Sequence, residues 1–373
     1  MDKAIDVRSK VRHFRILIIG RANAGKTTIL KKVCNSVEDP EIYDLDGNKI
    51  DPEIVRESAE RGEHNIENQL IFKSNPQFIF HDSRGFEGGS ADEIQKVTAF
   101  IEKRAKTLEL SKQLHAIWYC LPTDGNRPLL EAEDRFFQIS GTGKVPLIVI
   151  FTKFDGLVTK AYQQLRSEGK NIRTANTGKV ELAQTMLITN YIDPLKAATF
   201  KPSAYVQLDD MRLEHSSCIE LINHTVNALT DDALLLLFVS VQRNNIDVCI
   251  WRAVDSAMAE EGLTSVVKWT LAYFPHVWHQ SSRRDVSARS LRSPWLPANH
   301  NVISAECENS IPLSPPLFFT PPLFSDVQFE KNVAFCIDAL KKKLPAAEEL
   351  VRTPLGLAHI VARMEPDYQL SQY

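Results

Sequence analysis

Gly20-Arg21-Ala22-Asn23-Ala24-Gly25-Lys26-Thr27 carries the first chemistry in this chain. It fits the spacing G-x-x-x-x-G-K-[ST] at every constrained position. Glycines at 20 and 25 let the backbone close into a nest with its N–H groups turned inward. A helix starting there adds a partial positive charge, Lys26 can reach the outer phosphates of a nucleotide, and the Thr27 hydroxyl can ligate Mg²⁺. The run Phe14 to Ile19 reads as a buried strand and Thr28 to Val33 continues as a helix, so the motif sits on the strand–helix turn that this chemistry requires.

Two further tetrapeptides follow in order. Asp82-Ser83-Arg84-Gly85 closes the apolar strand Gln77 to His81. In isolation it fits a plain turn. Downstream of a phosphate loop, Asp82 can hold Mg²⁺ through water and the Gly85 N–H can reach a γ-phosphate. Thr152-Lys153-Phe154-Asp155 closes the buried strand Val145 to Phe151. A carboxylate at Asp155 can accept both donors of a guanine edge, which adenine does not offer, while the Lys153 stem covers the base or ribose.

The elements that must position these residues alternate strand and helix from about 14 to 250, the pattern of a mostly parallel sheet with helices on both faces. Gln69 to Phe72 and Gln77 to His81 form a hairpin through Lys73 to Pro76. Asp92 to Leu114 reads as one amphipathic helix with Ile94, Val97, Ile101, Ala105 and Leu108 facing the core. Pro128 to Ile139 is a helix with proline in its first turn, and Ala116 to Leu121 and Ala204 to Leu208 are strands. Lys160 to Thr199 is helical with loops, as are Ser216 to Leu229 and Asp232 to Glu261. The polar stretch Asn35 to Asn68 reads as a mobile loop.

These motifs, in this order from about Phe14 to Asn245, resemble the small P-loop GTPases of the translation-factor-related class. The wording of the phosphate loop looks like the Era and tRNA-modification GTPases. Phe80 to Glu87 and Leu236 to Asn245 resemble single-G-domain proteins of mushroom-forming fungi. The resemblance implies a three-layer α/β P-loop fold, GTP and GDP as ligands, Mg²⁺ held by Thr27 and Asp82, and γ-phosphate sensing by Gly85. Gly20 to Thr28, with Thr152, Lys153 and Asp155, would line the nucleotide. The loop Leu208-Asp209-Asp210-Met211 would cap the base, with Asp209 the residue chosen. It also implies switching by Glu53 to Asn68 and Gly85 to Ser90.

Two positions depart from the family pattern. Asn65 falls where the family's switch-I threonine binds Mg²⁺; an amide oxygen could replace that hydroxyl. Phe86 stands where well-known members carry a water-orienting glutamine, which implies slow hydrolysis until something completes the site. Asn23 matches the asparagine that helps hold a K⁺ ion in the Era-like and tRNA-modification enzymes; equally, it fits an asparagine tolerated at a positive φ. Lys26, Asn23 and Gly85 are therefore the candidate catalytic residues. Two readings follow: a slow, nucleotide-dependent switch, or a GTP-binding scaffold that does not hydrolyse and gates an interaction or a dimer. An effector or activator protein is expected in either case.

Composition narrows the class. With a net charge of -3 and pI near 6.4, bulk charge gives no reason to expect nucleic acid as a partner. No run is long enough to span a bilayer, and the mixed-charge amino terminus lacks a secretory h-region. Cys34, Cys120, Cys218, Cys249, Cys307 and Cys336 are scattered without a C-x-x-C pair, as expected of reduced thiols in the cytoplasm. The chain divides into an arm (1–13), a nucleotide-binding domain (14–255), a helical extension (256–280), a Pro/Ser-rich linker (281–325) and carboxyl-terminal helices (326–373). Trp251, Trp269, Tyr273, Phe274 and Trp278 in the extension either cover the sheet or the closing helix, or face a partner or a lipid. Gly141 to Lys144 and Asn176 to Lys179 mimic phosphate loops but open no helix.

Overall fold

A computed structural model describes residues 11, 13–51, 53, 65–83, 91–139, 142–213, 216–241, 262–273, 334 and 337. The chain separates into two compact units, Met1–Cys249 and Ile250–Tyr373. The first is an α/β structure on an eight-stranded mixed sheet. In chain order its strands are β1 (Phe14–Gly20), β2 (Glu41–Tyr43), β3 (Lys49–Ile50), β4 (Gln69–Phe72), β5 (Asn75–Asp82), β6 (Ala116–Pro122), β7 (Leu147–Thr152) and β8 (Ala204–Gln207). They lie in the order β3-β2-β4-β5-β1-β6-β7-β8. Strands β5, β1, β6, β7 and β8 run parallel, so Gly20, Asp82, Pro122, Thr152 and Gln207 all end at one edge of the sheet. The chain leaves β1 toward β5 on one side and toward β6 on the other, the kind of switch point at which α/β sheets open a ligand crevice.

Every residue of β1, β6 and β7 is buried, because helices cover both sheet faces. One face carries Leu17, Ile19, Ile117, Tyr119, Val149 and Phe151. Against it pack α2 (Ala91–Ala105), α3 (Glu131–Ile139), α4 (Phe154–Ser167) and α5 (Ile172–Leu187), the last continuing through a π-helical turn, Ile188–Ile192, into α6 (Asp193–Ala197). The opposite face takes α1 (Lys26–Val33), α7 (Ile219–Ala228) and α8 (Asp232–Ser240). There the Phe14 and Phe238 rings sit 4.6 Å apart, and the buried Trp118 indole donates to Thr225 Oγ1 at 3.1 Å. In the second unit the described helix is α9 (Leu263–Tyr273), which contains Trp269 and Tyr273. Trp251, Phe274, Trp278, Cys249, Cys307, Cys336 and the carboxyl-terminal helices expected over 326–373, apart from Ala334 and Ile337, lie outside the described residues.

The structure corrects several expected elements. The polar stretch after α1 is no simple loop: β2 and β3 form a hairpin that extends the sheet, with β2 antiparallel to β4. Its turn is organised by Asp44, whose carboxylate accepts from the N–H groups of Asp46 and Asn48, and by Gly47 at φ 84°. Helix α2 stops at Ala105 and does not run to Leu114. A 3-10 turn at Leu110–Lys112 then brings the chain into β6, so Leu114 is buried while Leu108, expected in the core, is 99% exposed. Helix α3 starts at Glu131, leaving Pro128 in the loop before it. The β4–β5 turn is shorter than expected because the buried Asn75 already belongs to β5 and donates to Val241 O at 2.9 Å.

Candidate functional site

The loop Gly20 to Gly25 closes in a conformation that its sequence permits. Gly20 has φ 154°, and a Cβ there would lie 2.6 Å from the Cys120 carbonyl oxygen on β6. Gly25 at φ 83° is the N-cap of α1 and Asn23 at φ 57° is also left-handed, where asparagine is better tolerated than most side chains. Ala24 is buried and its N–H donates to Arg21 O at 3.2 Å. The first α1 hydrogen bond from the cap is Ile29 N–H to Gly25 O at 3.0 Å. The N–H groups of Lys26, Thr27 and Thr28 therefore have no acceptor within the helix. No side chain caps this end and no acidic residue lies in its first turn. The positive end of α1 thus carries no compensating anion of its own.

Lysine and aspartate meet over this loop. Lys26 Nζ donates to Gly20 O at 2.8 Å and to Arg21 O at 3.3 Å, and stands 3.7 Å from Asp82 Oδ1. Asp82 reaches that position because β5 pairs it with Ile18 of β1, next to the loop. Thr27 is exposed at the same end. The Ser83 N–H donates to Ile18 O at 3.0 Å, carrying β5's register just past Asp82. Cys120 lies beneath, its thiol pushed up to about 12 by burial, which rules it out as a nucleophile near neutral pH. Arg84, Gly85 and Phe86 fall outside the described residues.

The turn Thr152 to Asp155 lies at the end of β7, two strands from β1. Lys153 is left-handed at φ 57° and caps α4, placing Asp155 in the first helical turn. Thr123 Oγ1 donates to the carbonyls of Thr152 and Lys153 at 3.1 and 3.0 Å, and Lys153 Nζ pairs with Asp124 at 2.9 Å. Lys160 Nζ donates to the Gly125 carbonyl. The loop after β8 comes alongside: Leu208 N–H bonds Phe151 O at 2.8 Å, and Asp210, at φ 43°, aims its N–H at Asp155 Oδ1 across 3.5 Å. The backbone group beside Asp155 therefore belongs to Asp210, while Asp209 is exposed next to it. The pair Asp-Asp after a strand was the available signal, since aspartate tolerates the left-handed region.

Arg21 behaves unlike the other loop residues. Its Nε and Nη2 form a bidentate pair with Glu133 at 2.8 and 2.5 Å, Nη2 also donates to Pro128 O at 3.0 Å, and Nη1 donates to Arg127 O at 3.2 Å. Burial pulls this guanidinium down, but the hydrogen bond and charge of Glu133 outweigh it and hold Arg21 above its ordinary value. Its backbone faces the loop interior while its side chain faces α3. Sequence reasoning missed Asp124 and Glu133, because no fixed spacing ties them to a motif, and within the loop 208–211 it singled out Asp209 where the backbone contact is made by Asp210.

The segment entering β4 is fixed elsewhere. Asn65 Oδ1 accepts from the Glu67 N–H at 3.0 Å, and Glu67 pairs with Lys103 at 2.8 Å and Arg104 at 2.6 Å on α2. Arg15 Nη1 lies 2.7 Å from His81 Nε2, so His81 accepts there and its Nδ1–H donates to Ile66 O at 2.9 Å. Burial, then the charges of Arg15 and Arg104, hold His81 well below its ordinary value, neutral beside Asp82. Among the described residues no three His, Cys, Asp or Glu side chains cluster as a metal site, and no helix is long and apolar enough to cross a membrane.

No protein-family model and no curated protein matches this chain. Solved structures give remote likenesses. A mutational variant of SsGBP shares 14% identity at TM-score 0.28, covering 59% of this chain and 56% of that one. A GDP-bound mutant of NFeoB from S. thermophilus shares 10% at TM-score 0.30, covering 94% and 98%. A bacterial dynamin pair, described as sensing and tethering membranes, shares 12% at TM-score 0.26, covering 96% and 62%. The chain spans just over half the length of the SsGBP variant.

Proposed function

We propose that the first unit binds guanine nucleotides and acts as a slow GTPase switch of the P-loop class. One observation carries this reading. An uncapped helix end with Lys26 beside it, and a carboxylate set against a backbone loop at Asp155, open from the same edge of one sheet. With strands about 4.8 Å apart, β1 and β7 stand about 10 Å apart, a separation suited to phosphates at one end and a purine at the other. Lys26 and the N–H groups of Lys26, Thr27 and Thr28 would hold the phosphates, Gly85 would sense the γ-phosphate, and Asp155 would select guanine with Lys153 covering the base.

Thr27 and Asp82 supply oxygen donors at the phosphate end, a set that suits Mg²⁺. Bound there, the ion would neutralise charge between the outer phosphates. The resemblance of the loop wording to Era-like and tRNA-modification GTPases would add Asn23 as a K⁺ ligand, a GTP-dependent homodimer that completes the site, and an effector protein. The buried thiols of Cys34, Cys120 and Cys218, none in a disulfide, support a reducing, cytoplasmic setting.

Single-turnover hydrolysis in K⁺ and in Na⁺, across protein concentrations, tests the switch. The proposal expects faster turnover in K⁺, loss of that difference in Asn23→Ala, and a specific rate that climbs with concentration. Thr27→Ala should weaken GTP more than GDP. Rates identical in both salts and flat with concentration overturn the cation mechanism. The second reading, a GTP-binding scaffold without hydrolysis, is favoured by one observation. Asn65, standing at the family's metal-binding threonine, spends its side-chain oxygen on the Glu67 N–H. Bound GTP that stays intact in both salts selects it.

A further inference from the structure

We infer that Arg21 is a positioning residue that locks the phosphate loop to the base-recognition turn through the loop 123–130. The inference rests on the proposed nucleotide site. An arginine inside a phosphate loop could instead point at the phosphates and stabilise charge developing there. Here the guanidinium is turned the other way. Its side chain is 11% exposed and that of Glu133 is 1% exposed, and their bidentate pair is joined by the carbonyls of Arg127 and Pro128. Glu133 Oε2 also accepts the Leu130 N–H at 2.8 Å, so the same carboxylate closes the loop onto the start of α3.

The other end of that loop is tied to the base turn. Thr123 Oγ1 holds the Thr152 and Lys153 carbonyls, Asp124 pairs with Lys153, and Gly125 O accepts from Lys160 on α4. Gly156 leaves no slack, since a Cβ there would lie 2.7 Å from the Asp124 Cβ. Tyr191, buried on the π-helical turn, supports the loop from below with its hydroxyl 3.5 Å from Thr123 O. A single short loop is thus fastened at both ends. A planar, bidentate fork fixes direction as well as distance, which a lysine cannot do. The brace therefore sets the spacing between the phosphate and base subsites, and a small misplacement of such a frame costs binding far out of proportion to its size.

Calorimetry with GDP and with GTP on the full chain tests this in Arg21→Ala, Arg21→Lys, Glu133→Gln and the double variant Arg21→Ala/Glu133→Gln. The double variant removes both charges, so a fold lost through one unpaired buried charge is recovered in it. The brace predicts a loss of at least about tenfold for GDP and GTP alike, no rescue by lysine, and a double variant no worse than either single one. Thermal midpoints recorded without and with GDP separate this from plain destabilisation. A merely structural pair lowers both midpoints together, whereas the brace also shrinks the increment that GDP adds. A loss confined to GTP, additive losses, or unchanged GDP affinity in every variant overturns the inference. A parent protein that binds neither nucleotide overturns the proposed function, and the brace with it.

Discussion

The two ends of the candidate nucleotide site are built from different materials. The phosphate end is backbone: Gly20, Asn23 and Gly25 hold positive φ, and the N–H groups at the start of α1 supply the charge. Of the side chains there, Lys26 and Asp82 stand over the loop while Arg21 is turned away to Glu133. The base end is a side-chain construction, with one carboxylate at Asp155 and props from Thr123, Asp124 and Lys160. A backbone device depends on conformations that few residues adopt, so it leaves a strict trace in the sequence. A side-chain device can be braced by any residue that reaches it.

Substitutions should separate the two. The largest effect is expected from Gly20→Ala, where an unfavourable φ combines with a Cβ 2.6 Å from a β6 carbonyl. A loss of roughly 3–5 kcal/mol in stability is expected, from local strain and overpacking together. Urea unfolding measures it, and a loss below about 1 kcal/mol contradicts the backbone account.

Both ends rest on one buried sheet, and acid should loosen that support. His115 accepts the Arg15 N–H at Nδ1 and donates to Leu110 O from Nε2, and burial holds it at about 4 against 6.5. The unfolded chain therefore binds more protons as pH falls from 6.5 toward 4, and stability present above 6.5 is lost through that window, by roughly 3 kcal/mol in all at ~1.4 kcal/mol per pH unit. His81, also lowered by burial, adds to the slope. Unfolding midpoints that stay flat from pH 7 to pH 4.5 contradict the buried neutral histidines.

At the base end, Asp155→Asn should weaken GTP by roughly 1.5–3 kcal/mol by removing a charged acceptor, while affinity for xanthosine triphosphate rises. Calorimetry with both nucleotides decides it; an equal loss for both would mean the turn had collapsed. The smallest effect is expected at Gly25→Ala. That glycine shares the left-handed conformation, but nothing lies within 4 Å of an added Cβ, so only about 1–2 kcal/mol of backbone strain is at stake. Thermal melts of Gly20→Ala and Gly25→Ala side by side expose the difference, and equal losses would mean that close packing against Cys120 is irrelevant.

The same contrast explains what could be read from the sequence. The α/β alternation and the central strands were legible because buried parallel strands are continuous apolar runs, and those strands place Gly20, Asp82 and Thr152 at one edge of the sheet. The β2–β3 hairpin was not, since its strands are short and half-exposed and only the turn at Asp44 to Asn48 marks it. Leu108 followed the helical period of α2 yet lies outside, because the chain must turn at Ala105 to reach β6. The pairing of Arg21 with Glu133 spans 112 residues, and no local pattern announces a contact of that range.

Titration of the full chain with GDP and with ATP, each with Mg²⁺, tests the central claim most directly. Phosphates alone would favour neither nucleotide; the carboxylate at Asp155 requires saturable GDP binding with ATP at least about a hundredfold weaker, the discrimination expected when a buried hydrogen-bonding edge goes unmatched. Equal affinity for GDP and ATP, or no binding of either, would contradict the account.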